Sequence, residues 1–103
     1  MSFDTAAAYL HFSDEHVKTG DTRFKTNPPI REFRNQKLLD EMLLMGSLDS
    51  ITSYHRGIKA SLKCIDKGDF KRAINGIASI GYSLPILWTK LKAYGEKSLN
   101  KLA

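Results

Sequence analysis

Apolar residues recur at helical spacing through the middle of the chain, and this pattern is the strongest constraint on its fold. Between residues 48 and 65 they stand alternately three and four positions apart, with one histidine among them. Such spacing puts all of them on one side of an α-helix and predicts a helix over about Leu48 to Lys67. The stripe is shorter than three heptads, so it predicts packing in a bundle rather than a free-standing coiled coil. Its members are Leu48, Ile51, His55, Ile58, Leu62 and Ile65.

Weaker patterns of the same kind predict helices on both sides of this segment. Their approximate bounds are 3–18, 30–45, 70–81 and 83–94. The stretch 20–29 lacks periodicity and contains two prolines, so it predicts an extended loop. The fold class predicted is therefore all-α: a compact bundle of four to five short helices with an extended loop near residues 20–29.

The length of the chain limits the number of domains. A chain of 103 residues is too short for two independent cores. We therefore expect one helical domain over 1–103, with an N-terminal helix and extended arm in 1–29 and a helical core in 30–103. Within that core, the string from Lys67 to Ile74 resembles the turn of a tetratricopeptide hairpin. It occurs once, so it implies an αα-hairpin and no repeat array.

The ends and the cysteine content predict a cytoplasmic protein, of a cell or of an infected host cell, that is not secreted. The N-terminus has neither the basic nor the apolar region of a secretory signal. Cys64 is the single cysteine, which fits a reducing compartment. The longest uncharged stretch, 73–89, is broken by glycine and proline and is shorter than the roughly 20 apolar residues that span a bilayer.

The arrangements of residues that usually carry catalysis are missing from the predicted helices. Cys64 and His55 would lie on nearly opposite sides of one helix. His11 and Glu15 share a helical face, but no further ligand converges on them to hold a metal. The stretch 76–81 has the glycine spacing of a phosphate-binding loop without its lysine. The sequence thus predicts no enzyme, no catalytic residues, no cofactor and no metal.

Charge is distributed unevenly along the chain. Residues 1–49 hold 6 basic and 8 acidic side chains, whereas residues 50–103 hold 10 basic and 3 acidic ones. Several of the basic residues recur at helical spacing beside the apolar stripe, so they predict one basic face that continues across the following turn. This predicted partner-binding face comprises Arg56, Lys59, Lys63, Lys67, Lys71 and Arg72.

The function predicted from these features is that of a small, non-enzymatic binding or adaptor protein. Its basic C-terminal half would engage an acidic macromolecule, whether nucleic acid, nucleoprotein or an acidic protein surface. Its size suits an accessory or inhibitor factor of a virus or mobile element. The alternatives are a subunit or inhibitor module with exposed apolar helix faces and, least favoured, a membrane-surface protein. The candidate apolar interface comprises Phe24, Ile30, Phe33, Trp88 and Tyr94.

Overall fold

The computed structural model of the chain describes residues 1–102 and combines two short strands with three α-helices. In chain order these are β1 (Asp4–Ala6), α1 (Ala7–His11), α2 (Phe33–Met45), β2 (Ser50–Thr52) and α3 (Ser83–Ala93). Single turns of 3₁₀ helix cover Asp14–His16, Thr22–Phe24 and Ala60–Lys63, and a longer one covers Glu96–Leu102.

The two strands pair in parallel, with Thr5 beside Ile51. Parallel strands need a long crossover connection, and here α1 and α2 lie within it. The molecule is therefore α/β, and the prediction of an all-α bundle is wrong. Thr5 and Ala6 are buried in β1.

Two of the predicted helices are largely replaced by other structure. The predicted helix 3–18 contains β1, the short α1 and a 3₁₀ turn. The predicted helix 48–67 contains β2, extended chain and another 3₁₀ turn, because Ser50 to Ser53 are β-branched or hydrogen-bonding residues that disfavour helix. The apolar stripe does not form one face, since Leu62 and Ile65 are exposed.

The predicted helix 70–81 and its αα-hairpin are also wrong. The Asp69 carboxylate accepts hydrogen bonds from the backbone N–H groups of Lys71 and Arg72, at 3.0 and 3.2 Å. This local bonding turns the chain instead of starting a long helix. Gly76 then adopts a φ of +137°, which no helix contains.

The two longest helices agree with the sequence patterns. The second predicted helix is observed as α2, and Gly46 ends it in the left-handed conformation with a φ of +76°. The fifth is observed as α3, which begins at Ser83 and carries Pro85 in its first turn.

The core lies where α1, α2 and α3 meet. Leucines from these helices are buried together, and half-buried residues of β2 and of the C-terminal 3₁₀ helix pack around them. In α1 the backbone carbonyl of Leu10 accepts a 2.8 Å hydrogen bond from the buried amide of Gln36 on α2. The central leucines are Leu10, Leu43, Leu87 and Leu91. None of the helices within residues 1–102 is long and apolar enough to cross a bilayer.

A charged cluster joins α2 to α3 beside this core. The Asp40 carboxylate forms an ion pair with the Lys90 ammonium at 3.0 Å and accepts a hydrogen bond from the Tyr94 hydroxyl at 3.1 Å. Asp40 is buried, and the side chain of Lys90 is only 19% exposed. Removing one partner of such a pair leaves a charge without compensation in a poorly hydrated place.

We therefore expect Lys90→Met to lower the free energy of unfolding by about 3 kcal/mol. The matched control is Lys92→Met on the exposed side of α3, which should change it by less than about 0.5 kcal/mol. Urea denaturation of both variants measures the difference. Equal effects would show that the Asp40–Lys90 pair does not hold α3 against α2.

The same cluster predicts a loss of stability at alkaline pH. Desolvation of the hydroxyl group, and next its hydrogen bond to Asp40, raise the pKa of Tyr94 above its ordinary value. The unfolded chain loses this proton first, near pH 10, while the folded chain retains it. Stability is thus fully present below about pH 10 and falls as the pH rises further. Denaturation from about pH 9 to 11 should show a smaller fall for Tyr94→Phe than for the wild type; identical falls would contradict this.

Candidate ligand cleft

A cleft of about 240 Å³ opens beyond the carboxyl ends of the two strands. β1 ends at Ala6, which lines the cleft, and β2 is followed directly by the lining residues Ser53 and Tyr54. In open α/β sheets, ligands bind at this end of the strands because the loops that follow them converge there. The polar lining residues are Tyr9, Thr26, Asn27, Ser53, Tyr54, Arg56, Asn75 and Ser79.

Three irregular segments, 26–27, 53–56 and 75–79, form most of the walls, and backbone hydrogen bonds hold them together. The N–H of Gly76 donates to the carbonyl of Lys25 at 2.9 Å, which joins segment 75–79 to segment 26–27. The N–H of Arg56 donates to the carbonyl of Ile77 at 3.0 Å, which joins segment 75–79 to segment 53–56. Segment 75–79 is therefore the central wall of the cleft.

His55 fixes the end of this central wall. Its Nδ1 accepts hydrogen bonds from the backbone N–H groups of Ser79 at 3.1 Å and Ile80 at 3.2 Å. These two bonds fix the orientation of the imidazole ring against the backbone of Ser79 and Ile80. The Ser79 hydroxyl in turn donates to the carbonyl of Ser53.

Two tyrosines separate this cleft from a neighbouring one of about 350 Å³. The rings of Tyr9 and Tyr54 line both spaces and meet edge to face, with centroids 6.3 Å apart. The Tyr54 hydroxyl donates to the Asp4 carboxylate, and this bond is the main cause that raises the pKa of Tyr54. Tyr54 has a φ of +44°, a strained value for a residue with a side chain.

Arg56 lies along the central wall at a glycine. A Cβ atom on Gly76 would stand 2.8 Å from the Cβ of Arg56 and 3.0 Å from its Cδ. Glycine is therefore needed at position 76 both for its φ of +137° and for the space that the arginine stem fills. The ion pairs within residues 1–102 do not include Arg56.

The structure does not bring the predicted basic residues together on one helix face. Arg56 lines the cleft, whereas Lys59, Lys67, Lys71 and Arg72 are exposed in irregular chain. Lys63 is buried at 6% exposure, with its ammonium directed inward. The helix that was expected to align these residues does not exist, and an acidic partner for the exposed ones stays a prediction.

The residues of the predicted apolar interface lie in different environments. Phe33, Trp88 and Tyr94 are exposed. Phe24 is half-buried, with its ring edge to face against Phe12 at 5.0 Å, and Ile30 is half-buried on the same loop. Their use as an interface also stays a prediction.

Sequence reasoning missed most of the residues that line the cleft. Asn27 lies in the predicted loop 20–29, where the following proline indicates an extended backbone, whereas Asn75 lies in the predicted helix 70–81, which does not form. A ligand site made of loops has no periodicity of its own, so only the pairing of the strands could place these residues together. Within the part of the chain that the structure describes, no group of three or more His, Cys, Asp or Glu residues could hold a metal ion.

The chain is similar to segments of larger enzymes. It is 46% identical over 103 residues to a probable allantoinase of Oryza sativa subsp. japonica, covering all of this chain and 20% of the relative. It is 42% identical to an allantoinase of Arabidopsis thaliana over 92% of the chain and 19% of the relative. The crystal structure of dihydropyrimidinase from Brevibacillus agri NCHU1002 superposes with a TM-score of 0.85 at 27% identity, over 97% of this chain and 23% of that one. No protein-family model matches.

These findings correct the functional expectation as well as the fold. The chain spans about a fifth of the length of the curated relatives it matches. Those relatives and the solved structure bear the names of hydrolytic enzymes. The predictions of a non-enzymatic adaptor or accessory factor and of a protein that is no enzyme are therefore wrong.

The central wall provides a test of the cleft geometry. Gly76→Ala should lower the free energy of unfolding by about 2 kcal/mol, because it adds both a strained φ and a clash with Arg56. Gly81→Ala is the matched control, since nothing lies within 4 Å of a Cβ atom there. Urea denaturation compares the two. A Gly76 variant as stable as the Gly81 variant would contradict the close contact between Arg56 and the wall.

Proposed function

We propose that the chain forms part of the substrate cleft of a cyclic amidohydrolase, an enzyme that opens a ring amide with water. The observation that carries this proposal is the 46% identity to a probable allantoinase over the whole chain. In such a reaction the water oxygen bonds to the ring carbonyl carbon, the ring C–N bond breaks, and the nitrogen leaves with a proton.

The lining of the cleft supports recognition of a ring amide. A cyclic amide or ureide presents N–H donors and carbonyl acceptors around a small flat ring. The side-chain amides of Asn27 and Asn75 offer both kinds of group, and Ser53 and Tyr54 add hydroxyl-bearing side chains from the third segment that lines the cleft. The cleft volume is below the roughly 300 Å³ at which drug-sized pockets begin, so it suits a small ring. The proposed role of these residues is to bind and orient the ring.

The sheet supports the proposal that the chain works as one segment of a larger enzyme. In residues 1–102 the sheet has two strands, so each strand has one edge without a hydrogen-bonded neighbour. Parallel sheets normally have more strands and are covered on both faces. Large apolar side chains on the surface, including Phe3, Ile80 and Leu84, would then pack against the rest of the enzyme. A cytoplasmic location stays a prediction.

Binding of a neutral cyclic ureide tests the proposed site. Allantoin added to the ¹⁵N-labelled chain should shift the backbone signals of the three cleft segments. Asn75→Ala should weaken binding about tenfold, the effect of losing roughly 1.4 kcal/mol of hydrogen bonding. Asn100→Ala, in the exposed C-terminal 3₁₀ helix, is the matched control and should bind as the wild type does.

Two results would contradict this proposal. One is the absence of any shift in the cleft at millimolar allantoin while the chain is folded. The other is a set of shifts elsewhere that Asn75→Ala leaves unchanged. Ring opening, followed as release of the carboxylate product, is a separate assay for the chain together with the remainder of an enzyme of this kind.

A further inference from the structure

A buried lysine without an acidic partner lies behind the cleft. Lys63 ends the 3₁₀ helix Ala60–Lys63, and the chain turns directly after it, where Cys64 has a φ of +50°. The residue is 6% exposed, and it takes part in none of the ion pairs within residues 1–102. Lysine is rarely buried to this extent unless specific groups compensate its charge.

Three backbone carbonyls compensate the charge of Lys63. The ammonium donates to Gly76 at 2.7 Å and to Lys25 and Ile74 at 3.1 Å each. An ammonium group has three N–H donors, so the number of acceptors equals the number of donors. A neutral amine, with two N–H groups, would leave one of these contacts unmade.

The three carbonyls belong to the two segments that bear the asparagines of the cleft. Lys25 lies two positions before Asn27, and Ile74 and Gly76 flank Asn75. The carbonyl of Lys25 also accepts the N–H of Gly76, so Lys63 strengthens the junction between the two segments. Its single side chain therefore fixes the backbone on both sides of Asn75 and close to Asn27.

The surroundings of Lys63 carry an energetic cost. Burial, and next the positive charge of Lys25, lower the pKa of Lys63 below its ordinary value. The Lys25 ammonium is itself held away by the carbonyls of Phe70 and Lys71. An apolar side chain of similar length would avoid the cost of desolvating a charge. What lysine provides at this position is therefore its three hydrogen bonds, which hold the carbonyls in a defined geometry.

We propose that Lys63 is a positioning residue for the cleft, which sets the spacing of Asn27 and Asn75 by binding the backbone of both segments. The effect on ligand affinity rests on the proposed function. The effect on the junction of the two segments does not.

Three variants of the full chain test this proposal. Lys63→Met keeps the length and removes the donors, Lys63→Arg keeps a charge and several donors, and Lys59→Met is the control at an exposed lysine one turn away. We expect Lys63→Met to bind allantoin at least tenfold more weakly and to exchange the Gly76 amide hydrogen at least tenfold faster. Lys63→Arg should restore part of the affinity for allantoin and part of the protection of the Gly76 amide, and Lys59→Met should match the wild type in both measurements.

A merely structural role would give a different pattern. It would accelerate amide exchange equally in α2, α3 and at Gly76, and allantoin affinity would fall only by the unfolded fraction; either result overturns the proposal. Wild-type exchange and affinity in Lys63→Met also overturn it. If wild-type chain binds no allantoin, the proposed function fails, and local acceleration at Gly76 still decides the role of Lys63.

The wild-type protein provides a readout that does not depend on the variants folding. Hydrogen-bonded, buried ammonium groups exchange their protons slowly enough to give a ¹H–¹⁵N signal of their own. We expect a lysine Nζ signal of this kind with cross-relaxation to Ile74 and Gly76, which distinguishes Lys63 from the Lys90 ammonium at Asp40. An Nζ of Lys63 that exchanges as fast as that of an exposed lysine overturns the proposal.

Discussion

The parallel pairing of β1 with β2 is the contact on which the rest of the structure depends. It brings Asp4–Ala6 beside Ser50–Thr52, segments that are far apart in the chain. Because a parallel pair requires a crossover, the helices between the strands must fold back over the sheet, and α1 thereby reaches α2 and α3. Because the strands are parallel, the chain leaves both of them at the same end of the sheet. The start of α1 after β1, and the irregular chain after β2, can then line one cleft with residues 75–79.

The parts of the fold that local sequence could predict are those that local bonding determines. α2 and α3 have regular apolar spacing and clear ends at Gly46 and Ser83, and both appear close to the predicted bounds. The helix predicted from the apolar stripe between Leu48 and Ile65 does not form. Helical spacing shows only which residues are apolar and does not show what they pack against. In the structure the first members of the stripe, Leu48 and Ile51, pack on the core, and its later members belong to separate turns. Non-local pairing with β1 outweighs the local helical pattern.

The candidate cleft was harder to predict than the fold for a related reason. Most of its residues come from three irregular segments, two of which lie within the predicted helices 48–67 and 70–81 that do not form. Sequence patterns around a loop do not reveal what the loop approaches in space. Basic residues were visible at once, yet their count did not show that Lys63 turns inward or that Arg56 lies along Gly76. The spacing of basic residues predicts a shared surface only where the predicted helix exists, and the helix predicted over 48–67 does not.

Two buried charged side chains help to fix the relative positions of segments that the few core leucines alone would hold less firmly. Asp40 binds Lys90 and Tyr94 where α2 meets α3, and Lys63 binds three carbonyls where the cleft segments meet. Apolar contacts alone tolerate small shifts of one segment against another, whereas charged groups without water require their partners at hydrogen-bonding distance. The strands themselves pair over only three residues each. The charges at the two junctions therefore add to the positional order of the structure, one between α2 and α3 and one between the cleft segments. In the proposed function the cleft orients a flat ring, and displacement of its walls by about 1 Å would disturb the alignment of the groups that bind this ring.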